Sequence, residues 1–167
     1  MATQIDHLVV AATSLEQGVQ WCEALFGITP ALGGEHALFG THNRLFKIAT
    51  PKFSMAYFEI IAINPAAVRS KKTTTLHPHR WFDLDNPELQ KSISKEPRLI
   101  HFVASSPDIK AARMALRMEG IDRGPAIHAE RHLARSSGFA HDFLRLFLGA
   151  NEKYIFTRRN NFFDLGV

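Results

Sequence analysis

This chain has one cysteine, no long apolar run and little net charge. The single cysteine among 167 residues, Cys22, cannot form an intrachain disulfide, which fits a reducing compartment. No apolar run approaches the roughly 20 residues that a membrane-spanning helix needs. The opening residues MATQIDH lack a basic region followed by an apolar stretch, so we expect no secretion signal. We therefore predict a cytoplasmic protein with no membrane partner.

Several functional motifs are also missing. The net charge is only +4, and its densest segment, RSKK at 69–72, contains no aromatic residue. We interpret this segment as a solvated linker and expect no nucleic-acid partner. The chain has no Walker-type loop, no G-x-S-x-G motif and no C-x-x-C pair. Its chemistry must therefore be sought among its histidines and carboxylates.

An internal repeat is the most informative feature that is present. Residues 4–28 align with residues 98–121. Each copy predicts a short strand, a small polar N-cap, an amphipathic helix and a glycine that ends the helix. The matching positions are His7 with His101, Val9 with Val103, Ser14 with Asp108, Leu15 with Ile109 and, after one deletion, Gly27 and Ile28 with Gly120 and Ile121.

The first copy predicts the rest of its module. Leu15, Val19, Cys22 and Phe26 recur at helical spacing and should face a sheet, so Cys22 is interpreted as a buried thiol and not as a nucleophile. Three strands should follow and complete a βαβββ unit. They are predicted at 36–40 and 44–49, joined by the turn THN, and at 55–63.

A polar connector and an ambiguous tail complete the chain. The connector, 64–97, should lie on the surface, with Trp81 and Phe82 docked on the body and Pro87 in the first turn of a short helix. The tail, 125–167, fits either a strand–turn–strand through GANE or a helix. We predict one α+β domain over 1–167, in which module one is 4–63 and module two is 98–167.

The two repeated histidines are the main candidates for chemistry. Side chains two apart on a strand share a face, so His7 and His101 should meet near a pseudo-twofold axis, with Glu59 beside them. Two imidazoles and a carboxylate in an apolar trough are costly unless something satisfies them. A divalent metal does so, and these ligands suit zinc, iron, nickel, cobalt or manganese. The alternative is that each histidine is an ordinary hydrogen-bonded core residue.

The repeat also predicts a fourth ligand. With an offset of 93 between the copies, Glu59 corresponds to Glu152. Glu152 lies in LGANEKY, however, which is typical of a hairpin turn with a solvated carboxylate. Both interpretations of Glu152 stay open.

The remaining histidines are weaker candidates. His36 follows two glycines and either serves backbone geometry or lines the pocket mouth, while Thr41 and Asn43 are suited to holding a hairpin. We place the connector histidines, His77 and His79, on the surface. His128 and His132 would share a helix face as a metal pair, but no acidic motif accompanies them.

Five stretches carry a resemblance to a known family, and they cover most of residues 5–125. They are IDHLVVAATSLEQGVQWCEALFGITP, GGEHALFGTHNRL, YFEIIAINP, RWFDLD and LIHFVA. The chain resembles the glyoxalase-like domain proteins of the vicinal oxygen chelate superfamily. This resemblance implies two tandem βαβββ modules that form a curved, half-open mixed barrel. It also implies metal ligands on the first and last strand of each module, which are His7, Glu59 and His101 by position and Glu152 by the repeat offset.

The predicted function follows from that metal site. We expect a metal-dependent lyase, isomerase or dioxygenase that acts on a small oxygenated molecule, with the ion as Lewis acid and Glu59 as a catalytic base. The alternative is a metal-free binding or resistance-type protein that uses the same cavity. The expected partner is a small-molecule substrate, and a homodimer is left open.

Overall fold

A computed structural model of the chain describes residues 3–54, 56–70, 74–75 and 78–121, together with four short strands beyond them of which only the backbone is considered. The strands are β1 (Gln4–Ala11), β2 (Ala31–His36), β3 (Thr41–Lys47), β4 (Tyr57–Ile63), β5 (Arg98–Ser105), β6 (Ala126–Ala129), β7 (His132–Leu133), β8 (Arg145–Leu148) and β9 (Tyr154–Phe156). The helices are α1 (Leu15–Phe26), α2 (Pro87–Ile93) and α3 (Ile109–Met118), with a 3-10 turn at Trp81–Asp83.

The strands form a mixed sheet whose order reflects the internal repeat. Its order is β7-β2-β3-β4-β1-β5-β9, and β6 pairs with β8 separately. The first strand of each unit, β1 or β5, pairs in parallel with a later strand, β4 or β9. The two first strands pair with each other antiparallel at the centre. The α+β prediction is confirmed, and the sheet remains open within the part of the chain that is described.

Helix ends match the capping pattern of the repeat. The Ser14 hydroxyl accepts a hydrogen bond from the Gln17 amide at 3.2 Å, and the Asp108 carboxylate accepts from two amides of α3. Gly27 and Gly120 adopt φ values of 66° and 74°. Left-handed backbone at these positions favours glycine, since other residues would place a Cβ against the preceding carbonyl. The predicted starts and stops of both helices are thus confirmed.

Helix α1 covers one face of the sheet. Cys22 is 0% exposed and packs in an apolar cluster with Val10, Phe58 and Ile60. Leu15 packs against this cluster and Val19 is half-buried. The Phe26 ring is 46% exposed, yet its centroid lies 5.8 Å from that of Phe58 on β4 and 6.0 Å from that of Phe46 on β3, so it faces the sheet as predicted. The buried-thiol interpretation of Cys22 is confirmed.

We expect Cys22 to react slowly with thiol reagents in the native protein. Burial raises the pKa of the thiol, and Glu23 beside it raises the pKa further, so little thiolate forms at neutral pH. Reaction with a chromogenic disulfide should be at least about 100-fold slower than in denaturant, where the thiol regains an ordinary pKa. Equal rates in the two states would contradict the buried position.

The hairpin between β2 and β3 differs from the prediction. The turn occupies residues 37–40, where the Gly40 amide donates to the His36 carbonyl at 2.8 Å, and Gly40 has a φ of 60°. The segment THN therefore begins β3 and is not the turn, and the predicted strand at 36–40 is wrong. The error arose because the pair Gly33–Gly34 looks like a strand boundary, yet it lies inside β2 at a register irregularity.

The connector covers the other face of the sheet. Trp81, Phe82 and Leu84 are buried there with Ile93 of α2, in one cluster with Val9 and Val103 of the central strands. The predicted docking of Trp81 and Phe82 is confirmed, as is the helix that begins at Pro87. Phe82 and Asp83 have φ values of 56° and 54°, a strained conformation for non-glycine residues that the burial of Phe82 holds in place.

In the tail, the strand interpretation is the one observed at β8 and β9. His128 lies in β6 and His132 in β7, so the proposed shared helix face does not exist. Glu152 and His77 lie outside the described residues. In the described residues, no helix is both long and apolar enough to cross a bilayer.

Candidate functional site

Residues from the two neighbouring strands β1 and β4 form the centre of the site. These strands run parallel, with His7 beside Tyr57 and Val9 beside Glu59. The His7 ring stacks on the Tyr57 ring at a centroid distance of 4.4 Å. His7 and Glu59 are 0% and 1% exposed, so strand alternation brings both titratable groups to the buried face that the connector covers.

His7 lies between two carboxylates. Its Nδ1 is 2.7 Å from Oδ1 of Asp6, and its Nε2 is 3.2 Å from Oε2 of Glu59. Both carboxylates are buried. The arrangement fixes the orientation of the imidazole plane and directs Nε2 toward Glu59.

Asn43 holds the other oxygen of Glu59. Its Nδ2 donates a hydrogen bond to Oε1, while its Oδ1 accepts from the Gly34 amide at 2.7 Å. Asn43 is 3% exposed and lies on β3, which pairs with β4. Each oxygen of Glu59 therefore has its own neighbour, Asn43 for one and His7 for the other.

These contacts control the ionisation of Glu59. Burial alone would raise its pKa, because a desolvated carboxylate loses its hydration. The hydrogen bond and charge of His7, the charge of His36 and the hydrogen bond from Asn43 outweigh burial and lower the pKa from 4.5 to about 2. Glu59 is therefore ionised at neutral pH, and the stability that it contributes is present above pH 4.5 and lost as the pH falls toward 2.

The polar network continues from Asn43 to the connector. Nδ2 of Asn43 lies 3.5 Å from Nε2 of His36, whose Nδ1 is 3.0 Å from the Thr41 hydroxyl. The indole nitrogen of Trp81 donates to the same hydroxyl at 3.0 Å. All four side chains are buried, so His36 lies within the network and does not line a pocket mouth. Trp81 of the connector therefore covers the Thr41 end of this polar network.

His101 lies on the adjacent strand β5. The register pairs it with Val9, and it pairs His7 with Val103, which makes the two histidines diagonal neighbours on one face. His101 is half-buried, and the centroid of its ring lies 5.4 Å from that of the Phe82 ring. It also lines a cavity of about 580 Å³ with Phe82, Asp83 and Asn86.

The structure thus brings together two of the four predicted ligands. His7 and Glu59 are in contact, and His101 occupies the neighbouring strand on the same face. Among the described residues, no three His, Cys, Asp or Glu side chains converge closely enough to hold a metal ion. His79 is exposed, as predicted, and His42 lies in β3 rather than in a turn.

Sequence analysis missed the roles of Asp6 and Trp81 in this site. Asp6 precedes His7 on the strand, and alternation would direct it to the opposite face, yet its carboxylate reaches Nδ1. An acidic residue beside a strand histidine was the available signal. Trp81 was expected to dock, but its hydrogen bond to Thr41 links residues 40 positions apart and left no local pattern.

Comparisons with known proteins agree with this architecture. The structure resembles that of a hypothetical protein from Staphylococcus aureus, with a TM-score of 0.60, 17% identity and 95% of this chain covered. The chain spans 60% of that protein. A methylmalonyl-CoA epimerase variant from Streptomyces coelicolor, in complex with 2-nitronate-propionyl-CoA, is similar with a TM-score of 0.52 and 15% identity, over 94% of this chain and 95% of that one. These identities establish likeness of fold alone.

A sequence comparison identifies the family. No curated protein sequence matches the chain. The sequence profile of the glyoxalase-like domain matches residues 5–154, from the second residue of β1 to the first residue of β9. Because this match covers most of the sequence, the chain belongs to the glyoxalase-like domain family.

Proposed function

We propose that this protein is a metal-dependent enzyme of glyoxalase type that acts on a small oxygenated molecule. The reaction class is that of a lyase, an isomerase or a dioxygenase. In this proposal His7, Glu59, His101 and Glu152 hold one divalent ion, which is zinc, iron, nickel, cobalt or manganese. The observation that carries it is the contact between Nε2 of His7 and Oε2 of Glu59.

One polar atom of His7 and one of Glu59 already have hydrogen-bond partners within the protein. Nδ1 of His7 faces Asp6, and Oε1 of Glu59 accepts from Asn43. Metal-ligating histidines commonly donate their second ring nitrogen to a carboxylate, and ligating carboxylates are themselves hydrogen-bonded. This leaves Nε2 and Oε2, which lie 3.2 Å apart, as the two atoms that would bind the ion.

The separation of these two atoms also fits an ion. Two ligand atoms that each lie about 2.1 Å from a tetrahedral ion are about 3.4 Å apart. The observed distance is 3.2 Å. This separation supports a shared ion, and in the proposal the His101 side chain completes the site by turning from the cavity toward His7.

The chain's own residues set the chemistry around this point. A bound divalent ion would act as a Lewis acid toward adjacent oxygens of the substrate. His101 borders the cavity of about 580 Å³, which offers space for a small molecule beside this proposed ligand. Glu59 is the proposed base, and because His7 and the other contacts lower its pKa to about 2, it gains basicity only if substrate binding loosens the contact with His7.

A second function is favoured by one specific observation. Each ring nitrogen of His7 already lies next to a carboxylate of the protein, that of Asp6 or that of Glu59. The two carboxylates flank the imidazole directly, at 2.7 Å and 3.2 Å. This supports a metal-free binding protein that sequesters a small compound in the same cavity.

Metal titration distinguishes the two functions. Protein purified without a histidine tag and stripped with chelator should take up one equivalent of Co²⁺, with visible absorption bands that report nitrogen and oxygen ligation. His101→Ala should weaken this binding by more than about tenfold, whereas His79→Ala, at an exposed histidine, should leave it unchanged. Absence of stoichiometric uptake by the wild-type protein would sink the metal proposal and favour the binding protein.

A further inference from the structure

The Gly33–Gly34 segment of β2 holds Asn43 in a defined orientation. A Cβ at position 33 would lie 2.0 Å from Oδ1 of Asn43 and 2.5 Å from its carbonyl oxygen, so only glycine fits there. The register irregularity between Leu32 and Glu35 directs the next amide, that of Gly34, at Oδ1 over 2.7 Å. Regular pairing of the strand is thus interrupted where Asn43 packs, and a side chain at position 33 is excluded there.

This amide contact decides which way the carboxamide faces. An asparagine side chain has an acceptor end and a donor end of nearly identical shape. Because the Gly34 amide is itself a donor, it binds only the oxygen and leaves Nδ2 to face Glu59. The reverse orientation would bring two oxygens together at Glu59 and two donors together at Gly34. The backbone of β2 therefore selects a donor for Glu59.

We infer that Asn43, oriented by the Gly34 amide, is a positioning residue that holds Oε1 of Glu59 and thereby presents Oε2 to Nε2 of His7. Its consequence for metal binding depends on the proposed function, whereas its control of the Glu59 carboxylate does not. Asn43 is 3% exposed and Glu59 is 1% exposed, so water does not compete for this bond. The contact lies between two strands that pair directly, which makes the geometry rigid.

Exchanging the carboxamide of Asn43 with the carboxylate of Glu59 tests the inference without any metal. Asn43→Asp keeps an oxygen for the Gly34 amide but sets two carboxylates against each other, so its unfolding equilibrium constant should rise at least about tenfold. Adding Glu59→Gln restores one donor and one acceptor in reversed order. The double variant should recover most of the loss. Urea denaturation of the wild-type protein, both single variants and the double variant measures this.

Asn64 provides the matched control. It is also a buried asparagine, 7% exposed, and its Oδ1 accepts from the Ala66 amide at 3.0 Å. Asn64→Asp keeps that acceptor and should unfold at nearly the wild-type urea concentration. Equal effects of Asn43→Asp and Asn64→Asp, or a double variant no more stable than Asn43→Asp, would overturn the inference.

Co²⁺ affinity supplies an independent measurement. Asn43→Ala frees the Glu59 carboxylate without adding charge, and Co²⁺ should bind about 10- to 100-fold more weakly than to the wild-type protein. Unchanged affinity in this variant would overturn the positioning role and leave the metal proposal intact. If the wild-type protein binds no Co²⁺, the metal proposal fails, and the urea swap alone then decides the role of Asn43.

Discussion

Replacement of Glu59 by glutamine is expected to weaken divalent-metal binding by more than about 100-fold, since loss of a direct ligand should exceed the effect of losing an outer partner. Glutamine keeps the size of the side chain and can still accept the bond from Asn43. It removes the negative charge, however, and can present an amide nitrogen to His7, where Oε2 now lies 3.2 Å away. Competition titration with Co²⁺ and a chromogenic chelator measures the affinity.

Glu35 offers a control for this substitution. It is an exposed carboxylate on β2, the strand that pairs with β3. Glu35→Gln changes the net charge by the same amount as Glu59→Gln and should leave Co²⁺ affinity within about twofold, because an exposed charge is screened. If Glu59→Gln binds Co²⁺ as tightly as Glu35→Gln, Glu59 is not a ligand.

Replacement of Trp81 by alanine is expected to lower the free energy of unfolding by about 3–5 kcal/mol. The indole is 4% exposed, stacks on Phe39 at 4.6 Å and meets the His36 ring edge-on at 4.5 Å. Its removal leaves a large cavity and opens the polar network to water. Urea denaturation followed by circular dichroism measures the loss without relying on tryptophan fluorescence.

Two milder substitutions separate packing from hydrogen bonding. Trp81→Phe keeps most of the ring but removes the donor to Thr41, so its cost should fall at about 1–3 kcal/mol. Trp21, half-buried on the opposite face, should tolerate Trp21→Phe with a loss below about 1.5 kcal/mol. A cost for Trp81→Ala no larger than that of Trp21→Phe would show that the connector does not seal the trough.

The Glu59 and Trp81 predictions concern two ends of one network. The chain of polar contacts runs from Asp6 through His7 and Glu59 to Asn43. It continues through His36 to Thr41, whose hydroxyl accepts a hydrogen bond from the indole of Trp81. A buried polar group without a hydrogen-bond partner is destabilising, so each side chain of this network is held in place by its neighbours. The proposed ligands are therefore supported by residues that would never touch a metal themselves.

The sequence by itself determined the features that repeat or recur locally. The duplicated pattern predicted two equivalent first strands, and His7 and His101 indeed lie diagonally across the central antiparallel pair. Local residue preferences and spacing were sufficient to predict the helix caps at Ser14 and Asp108 and the burial of Cys22. Such features depend on residues within about one helical turn or one strand, so periodicity and capping preferences record them.

Only the tertiary structure decided how the site is enclosed. The β2–β3 turn lay outside the predicted position because two glycines inside a strand resemble a boundary. The need for glycine at position 33 is visible only in the structure, where a Cβ would clash with Asn43. The contact of Trp81 with Thr41 and that of Asn43 with Glu59 join segments 40 and 16 residues apart. Since such contacts arise from pairing register and from the path of the connector, no local pattern in the sequence encodes them.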